Sequence, residues 1–416
     1  MSSQILDLSG VRAFDTILNH ATLYDSSEKG KRKMTYNFDA GRRDFLKTAG
    51  AAAGLACIQG CVATGGRDDS IYSVAVLGDT HYDAEPESVY HSHYDESNRW
   101  AKIQHSEFRR NGEMWRERCP KMIAASAALA RRAGARFVLQ LGDIIQGDCD
   151  HVPTHKKMLD DCIKLLRGPY PDGLPFLTVM GNHDFRGKGA REAYLEFAEP
   201  FIANEIRRLT GKDFKVKYPA FSFRLGQDLW VFCDFETTNL NPICDLIDAD
   251  AAARRVFLVT HGPFTTFPFG SPAYRWRLGG RRECEASRPR LYETLSRRHA
   301  VVLSGHTHTT CFYRHENKFG GFAECTVNCV WKSPDLATAK PEAQGPDGYR
   351  ALPGDLPPKM VNDLKSEVEF FRPNVKDCFF NYGAGHYRLD VSGKEVAMSF
   401  YPGASNKCAR RFILNA

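Results

Sequence analysis

The stretch Ile71-Tyr72-Ser73-Val74-Ala75-Val76-Leu77-Gly78-Asp79-Thr80-His81 sets a short apolar run directly against a glycine, a carboxylate and an imidazole. A run this short and this apolar suits a strand buried on both faces, and its abrupt polar end suits a turn at the C-terminal tip. The same punctuation recurs down the chain. Residues 136–141 (RFVLQL) end in Gly142-Asp143, and 175–180 (PFLTVM) end in Gly181-Asn182-His183-Asp184. Residues 256–260 (VFLVT) lead into His261-Gly262-Pro263, and 300–303 (AVVL) into Ser304-Gly305-His306-Thr307-His308. Helical periodicity over 122–133, 155–166 and 190–209 separates the early strands, and 221–225 with 229–235 reads as a hairpin. Strands alternating with helices predict an α/β fold, which places its ligands in the crevice at the strand C-terminal ends.

Glycine beside each polar cluster lets the backbone turn sharply, so that the side chains can share one space. The converging set is Asp79, His81, Asp143, Asn182, His183, His261, His306 and His308. Carboxylate, imidazole and amide oxygen without thiolate is a donor mix for manganese, iron or zinc. If one carboxylate bridges, seven of these groups suffice for two cations. A metal pair ~3.5–4 Å apart suits displacement at phosphorus, because it steadies the attacking and the leaving oxygen together.

The ordered blocks Asp-x-His, Gly-Asp, Gly-Asn-His-Asp, His and Gly-His-x-His resemble those of the calcineurin-like metallophosphoesterases, over roughly residues 71–330. The resemblance implies a sandwich of two mixed β-sheets flanked by helices, with a dinuclear metal site at the strand ends. It places Asp79, His81 and His308 on one metal, and Asn182, His261 and His306 on the other, with Asp143 bridging. It makes a metal-bound hydroxide the nucleophile, with His183 steadying the transition state or protonating the leaving oxygen and Asp184 orienting His183. Purple acid phosphatases carry Tyr where this chain has Gln146, so a ferric–tyrosinate centre is not expected. Tyr82 stands where many relatives have Gly. The stretch Val138 to Gly147 also resembles the manganese-dependent ADP-ribose/CDP-alcohol diphosphatases, although those enzymes carry Gln where His81 stands here. That likeness points to a phosphodiester or pyrophosphate bond as the target. Phosphomonoester hydrolysis is the enzymatic alternative, and a catalytically silent binding scaffold is the alternative of another class.

Two polar insertions are expected to roof the site. One runs from the first motif to residue 122 and carries His91, His93 and His105, which read as structural rather than as extra ligands. The other, 264–298, carries Tyr274, Arg275, Trp276 and Arg277, whose guanidinium and aromatic groups suit a small phosphorylated, nucleotide-like substrate. Farther on, 322–328 reads as a strand and 333–366 as an exposed excursion. Residues 385–391 and 395–401 flank the hairpin signal Ser392-Gly393-Lys394. These C-terminal strands would complete the sandwich, making 70–416 a single domain.

The composition agrees with a globular enzyme: of 416 residues, 43% are hydrophobic and 25% charged, with a net charge of only +6. No basic run marks a nucleic-acid binder. Residues 34–65 have the plan of a twin-arginine signal, Arg42-Arg43-Asp44-Phe45-Leu46-Lys47 preceding a weakly apolar stretch too short to span a bilayer. An exported, periplasmic or cell-envelope protein that meets the twin-arginine machinery is therefore expected. The pair comes late, and Met34 would make a conventional start, leaving 1–33 as a polar leader. Ile58-Gln59-Gly60-Cys61 resembles a lipid-attachment site at Cys61. The 13 cysteines stand singly rather than in Cys-x-x-Cys pairs, and in an oxidising space some of them would pair.

Overall fold

The computed structural model describes residues 71–83, 87–91, 99–149, 151–266, 277–330, 340–349 and 358–415. The leader, the signal region with Cys61, His93, and the roof residues Tyr274, Arg275 and Trp276 lie outside these. Among the described residues, no helix is long and apolar enough to cross a membrane.

Parallel pairing of the apolar runs organises both sheets. In the first, β1 (Tyr72–Leu77), β2 (Phe137–Gln140) and β3 (Phe176–Thr178) pair in parallel, and β2 and β3 are buried throughout. The C-terminal strands β12 (Gly385–Val391), β13 (Val396–Pro402) and β14 (Arg410–Ile413) extend it antiparallel, in the order β14-β13-β12-β1-β2-β3. The second sheet contains β4 (Ala220–Leu225), β5 (Asp228–Cys233), β6 (Arg255–Val259), β7 (Val301–Ser304), β8 (Thr310–Asn317), β9 (Gly320–Thr326), β10 (Ala343–Gln344) and β11 (Val375–Asn381). Its order is β10-β11-β8-β9-β7-β6-β5-β4.

Alternation along β5 shows how the layers stack. Trp230 and Phe232 join the core between the sheets, whereas Leu229, Val231 and Cys233 join a second core on the opposite face. Phe137 of the first sheet meets Trp230 edge-on at 5.1 Å, and Trp230 stacks on Phe257 at 4.3 Å. The outer face of the second sheet is covered by α4 (Asn241–Ala249), α5 (Arg288–Arg297) and α6 (Pro358–Phe371). The first sheet is flanked by α1 (Arg99–Ala133) and, beside β3, by α3 (Ala190–Thr210), which packs on α2 (Val152–Arg167).

Three expectations are corrected. The helix expected from residue 122 begins at Arg99 and runs through Pro120, so much of the first insertion is helix rather than roof. The second insertion contains α5, with Leu291 and Leu295 fully buried. The stretch 333–366 is not simply exposed, since Ala343, Gly348 and Tyr349 are buried and Leu364 of α6 is at 0% exposure.

Of the 11 cysteines among the described residues, all but Cys408 are buried. Burial pushes the Cys233 and Cys311 thiols up to about 12, which leaves them unreactive at neutral pH. Folded protein beginning at residue 66 should show one fast-reacting thiol with an aromatic disulfide reagent, and 11 after denaturation. Several fast thiols in the folded protein would contradict this burial.

Three buried histidines away from the strand-end cluster set an acid limit. Burial lowers His155 and His386 to about 4 and His315 to about 3. Their folded values lie below the ordinary ~6.5, so each is stability-neutral above that pH. Below it the unfolded chain binds protons first, and each ring costs ~1.4 kcal/mol per pH unit until its folded value is reached. Imidazole NMR titration should find all three rings neutral at pH 5. Midpoints near 6.5 would contradict their placement.

Candidate metal centre

The strand ends are tied to one another before any side chain is considered. The amides of Thr80 and His81 donate to the Asp143 carbonyl at 3.0 and 2.9 Å, and the Gly305 amide donates to His261 O at 2.9 Å. Two glycines are required by close approach. A Cβ on Gly181 would fall 2.2 Å from Asp143 Oδ1, and one on Gly142 would fall 2.6 Å from His261 Nδ1. Four polar residues themselves adopt left-handed backbone: His81 (φ 41°), Asp143 (φ 51°), His306 (φ 71°) and His308 (φ 51°). Non-glycine residues avoid this region, and such strain concentrates at functional sites.

The side chains form two lobes that share Asp143. In the first lobe, His308 Nε2 lies 3.0 Å from Asp79 Oδ2 and 3.0 Å from His81 Nε2. His81 Nε2 is also 3.5 Å from Asp143 Oδ2. In the second lobe, His261 Nε2 lies 3.1 Å from Asp143 Oδ2, 3.1 Å from Asn182 Oδ1 and 3.2 Å from His306 Nδ1. Three groups could each hold a metal ion: Asp79/His81/His308, His81/Asp143/His183 and Asp143/His261/His306.

The donor chemistry favours a cation in each lobe. His261 Nδ1 donates to the Leu141 carbonyl at 2.7 Å, and His81 Nδ1 donates to Gln146 Oε1 at 3.1 Å. Both rings therefore aim the lone pair of Nε2 inward, the tautomer that suits a ligand. Lone pairs of Asp143, Asn182 and His261 then face one another at about 3 Å, an arrangement that only a proton or a metal ion can satisfy. Protonation shows the same demand. Burial opposes a charged His261, yet the Asp143 carboxylate lifts it to about 9. Burial likewise opposes ionised Asp79, but the His308 and His81 contacts hold it well below the usual carboxylate range.

A family model described as calcineurin-like phosphoesterase matches residues 72–310, more than half of the chain. The chain belongs to that family. It is therefore a metal-dependent phosphoester hydrolase, and the family implies a dinuclear divalent-metal site, which this donor set fits. A dimetal phosphatase from Danio rerio is 14% identical, covering 83% of this chain and 99% of its own, at a TM-score of 0.45. A purple acid phosphatase from yellow lupin (Lupinus luteus) seeds is 11% identical, covering 83% of this chain and 53% of its own, at a TM-score of 0.47. The GAP50 anchor of the inner membrane complex of Plasmodium is 13% identical, covering 83% and 89%, at a TM-score of 0.43. Comparison with curated protein sequences returns no match.

Around this phosphoesterase centre the structure revises two expected roles. The Asp184 carboxylate does not touch His183. It accepts the amides of Gly181 (2.8 Å), Ile144 (2.8 Å) and Ile145 (3.2 Å), pinning the second and third motif loops together. His183 is oriented instead by the Gln146 carbonyl, which accepts from Nδ1 at 2.9 Å, and its amide donates to Asp143 Oδ1 at 2.7 Å. Arg277 is not part of a roof. It is 2% exposed, donates to the carbonyl of Phe264 at 2.9 Å, and forms an ion pair with Glu367 of α6 in the second core. His91, read as structural, is buried and pairs with Asp83 at 3.3 Å.

Two residues near the centre carried no expectation of contact. Gln146 entered only as a replacement for Tyr, and it braces both His81 and His183. Arg186 sits against the ring of His183, with Nη1 at 2.9 Å from Nε2. Its position two residues after the Gly-Asn-His-Asp block was the one available sequence signal.

Proposed function

We propose that this chain is an exported phosphoesterase that hydrolyses a phosphodiester or pyrophosphate bond with two manganese or iron ions. In this reading Asp79, His81 and His308 hold one ion, Asn182, His261 and His306 hold the other, and Asp143 touches both. The observation that carries it is the pair of buried lobes sharing the Asp143 carboxylate, with Nε2 of His81 and of His261 both turned inward. Two divalent cations there would neutralise phosphoryl oxygens and activate water for in-line attack. In this reading His183, which groups with Asp143 and His81, steadies the transition state or protonates the leaving oxygen.

The structure also bears on the substrate. A phosphomonoester carries nearly two negative charges and calls for several free cations around it. Arg277, one of the arginines expected there, is committed to Glu367. A diester carries a single negative charge, and a substituted pyrophosphate carries only one on each phosphorus, so each phosphoryl group makes the smaller demand. With Mn²⁺, protein beginning at residue 66 is expected to turn over bis(p-nitrophenyl) phosphate or a dinucleoside pyrophosphate faster than p-nitrophenyl phosphate. A clear preference for the monoester would overturn this reading.

Gln146 supplies a further expected outcome. Because it fixes the His81 tautomer, Gln146→Ala should weaken metal binding ~10–100-fold, measured by competition with a chelator. Wild-type affinity would show that the brace is dispensable. Export rests on the twin-arginine pattern around Arg42-Arg43, and lipid anchoring on Cys61. Fractionation of cells carrying Arg42→Lys/Arg43→Lys should find the protein retained in the cytoplasm.

A further inference from the structure

At one edge of the sandwich, β14 of the first sheet and β8, β10 and β11 of the second enclose a cleft of about 580 Å³. No lining residue belongs to the metal centre. Phe312, Phe379 and Phe412 form the floor, with Phe412 stacked on Phe312 at 5.5 Å and tilted against Phe379 at 5.0 Å. All three belong to the core between the sheets, so the cleft lies where that core reaches the edge. Arg410 lies over this floor, its guanidinium carbon 4.2 Å from the centre of the Phe379 ring and 5.8 Å from that of Phe412. The other charged side chains lining the cleft are Arg314, Arg411 and Asp377. Arg314 pairs with Glu316 at 3.2 Å and stands across from Asp377 in the β8–β11 register, and Arg411 pairs with Glu395. Burial pushes the Cys378 thiol up to about 12, so it adds no negative charge. Among the described residues, no hydrogen bond or ion pair engages the Arg410 guanidinium, which leaves one positive charge in the cleft uncompensated.

We propose that this cleft is a second ligand site, which takes a small organic anion carrying a carboxylate or phosphate on an apolar body. Two oxygens of the anion meet two parallel N–H groups of Arg410. Attraction to the aromatic face holds the guanidinium in place while its N–H edge stays available. Much of its rotamer freedom is therefore lost on folding rather than on binding. The cleft is larger than an isolated oxyanion fills, and its volume falls within the range of small-molecule sites. The apolar body has a wall to lie against in Ile413, which lines the cleft at 40% exposure. No bond is made or broken in this site, and it stands independently of the reading of the metal centre.

The test uses p-fluorobenzoate as the probe and fluorine NMR line broadening as the readout, on protein beginning at residue 66 and loaded with Mn²⁺ or, to spare the signal, Mg²⁺. The wild type should bind the probe saturably, and the neutral analogue p-fluorobenzamide at least about tenfold more weakly, as expected when a charge-assisted pair is lost. Arg410→Ala should weaken p-fluorobenzoate by about 10- to 100-fold. Arg410→Lys should fall between, because an ammonium keeps the charge but cannot pair bidentately, and it serves as the reading if Arg410→Ala does not fold. Asp143→Asn should bind the probe like the wild type, since the metal centre takes no part. No saturable binding by the wild type, equal affinity for the benzamide, or wild-type affinity in the Arg410 variants would each overturn the proposal. Loss of binding in Asp143→Asn would overturn it as well, by placing the probe at the metal centre.

Discussion

Asp143→Asn is expected to lower kcat on the diester by ~10³-fold or more, equivalent to at least ~4 kcal/mol of transition-state stabilisation. The reason is geometric as much as electrostatic. The Asp143 carboxylate lies against both lobes, at 3.1 Å from His261 Nε2 and 3.5 Å from His81 Nε2. Its other oxygen accepts the His183 amide at 2.7 Å, fixing the third motif loop. An amide in its place offers one neutral oxygen and puts two N–H donors where a cation or an amide hydrogen should sit. Bound metal should fall from two equivalents towards one. Full metal content with near-normal kcat would mean that Asp143 is not the shared group.

Glu367→Ala should cost ~3–5 kcal/mol of stability, because it strands the buried Arg277 and removes the 2.9 Å partner of Arg288. A guanidinium at 2% exposure has no water to turn to. Burial, followed by the neighbouring Arg288, already draws the Arg277 pKa down to about 9, which shows how costly its charge is there. The double variant Arg277→Met/Glu367→Ala should lose less than the losses of Arg277→Met and Glu367→Ala added, by more than ~1 kcal/mol. Denaturant unfolding measures this. KM for the diester should stay near wild type in Glu367→Ala, whereas a raised KM without lost stability would restore Arg277 to the substrate.

What was legible in the sequence follows from where burial is uniform. Strands such as Phe137–Gln140 and Val301–Ser304 are buried on both faces, so they read as unbroken apolar runs, and the polar turns beyond them stand out. The eight converging residues were visible for that reason. Elements with one polar face were not. The first turns of α1 are charged and Pro120 suits a helix start, so the twenty-odd residues of helix before residue 122 read as loop from the sequence. β8 mixes Arg314, Glu316 and Asn317 into its sequence, and α6 lies in a stretch dominated by Pro, Lys and Asp. Roles that depend on loop packing were hidden as well. Nothing along the chain distinguishes a carboxylate that orients an imidazole from one that pins three backbone amides, and Asp184 is the second kind. The left-handed backbone at His81, Asp143, His306 and His308 had no sequence mark beyond the neighbouring glycines.

The most direct test is anomalous diffraction from crystals grown with Mn²⁺, paired with metal analysis of the same protein. The account predicts two anomalous peaks ~3.5–4 Å apart, with Asp143 within bonding distance of both and Asn182 on the peak shared with His261. A single peak, or a second one lacking His261 and Asn182, would contradict it.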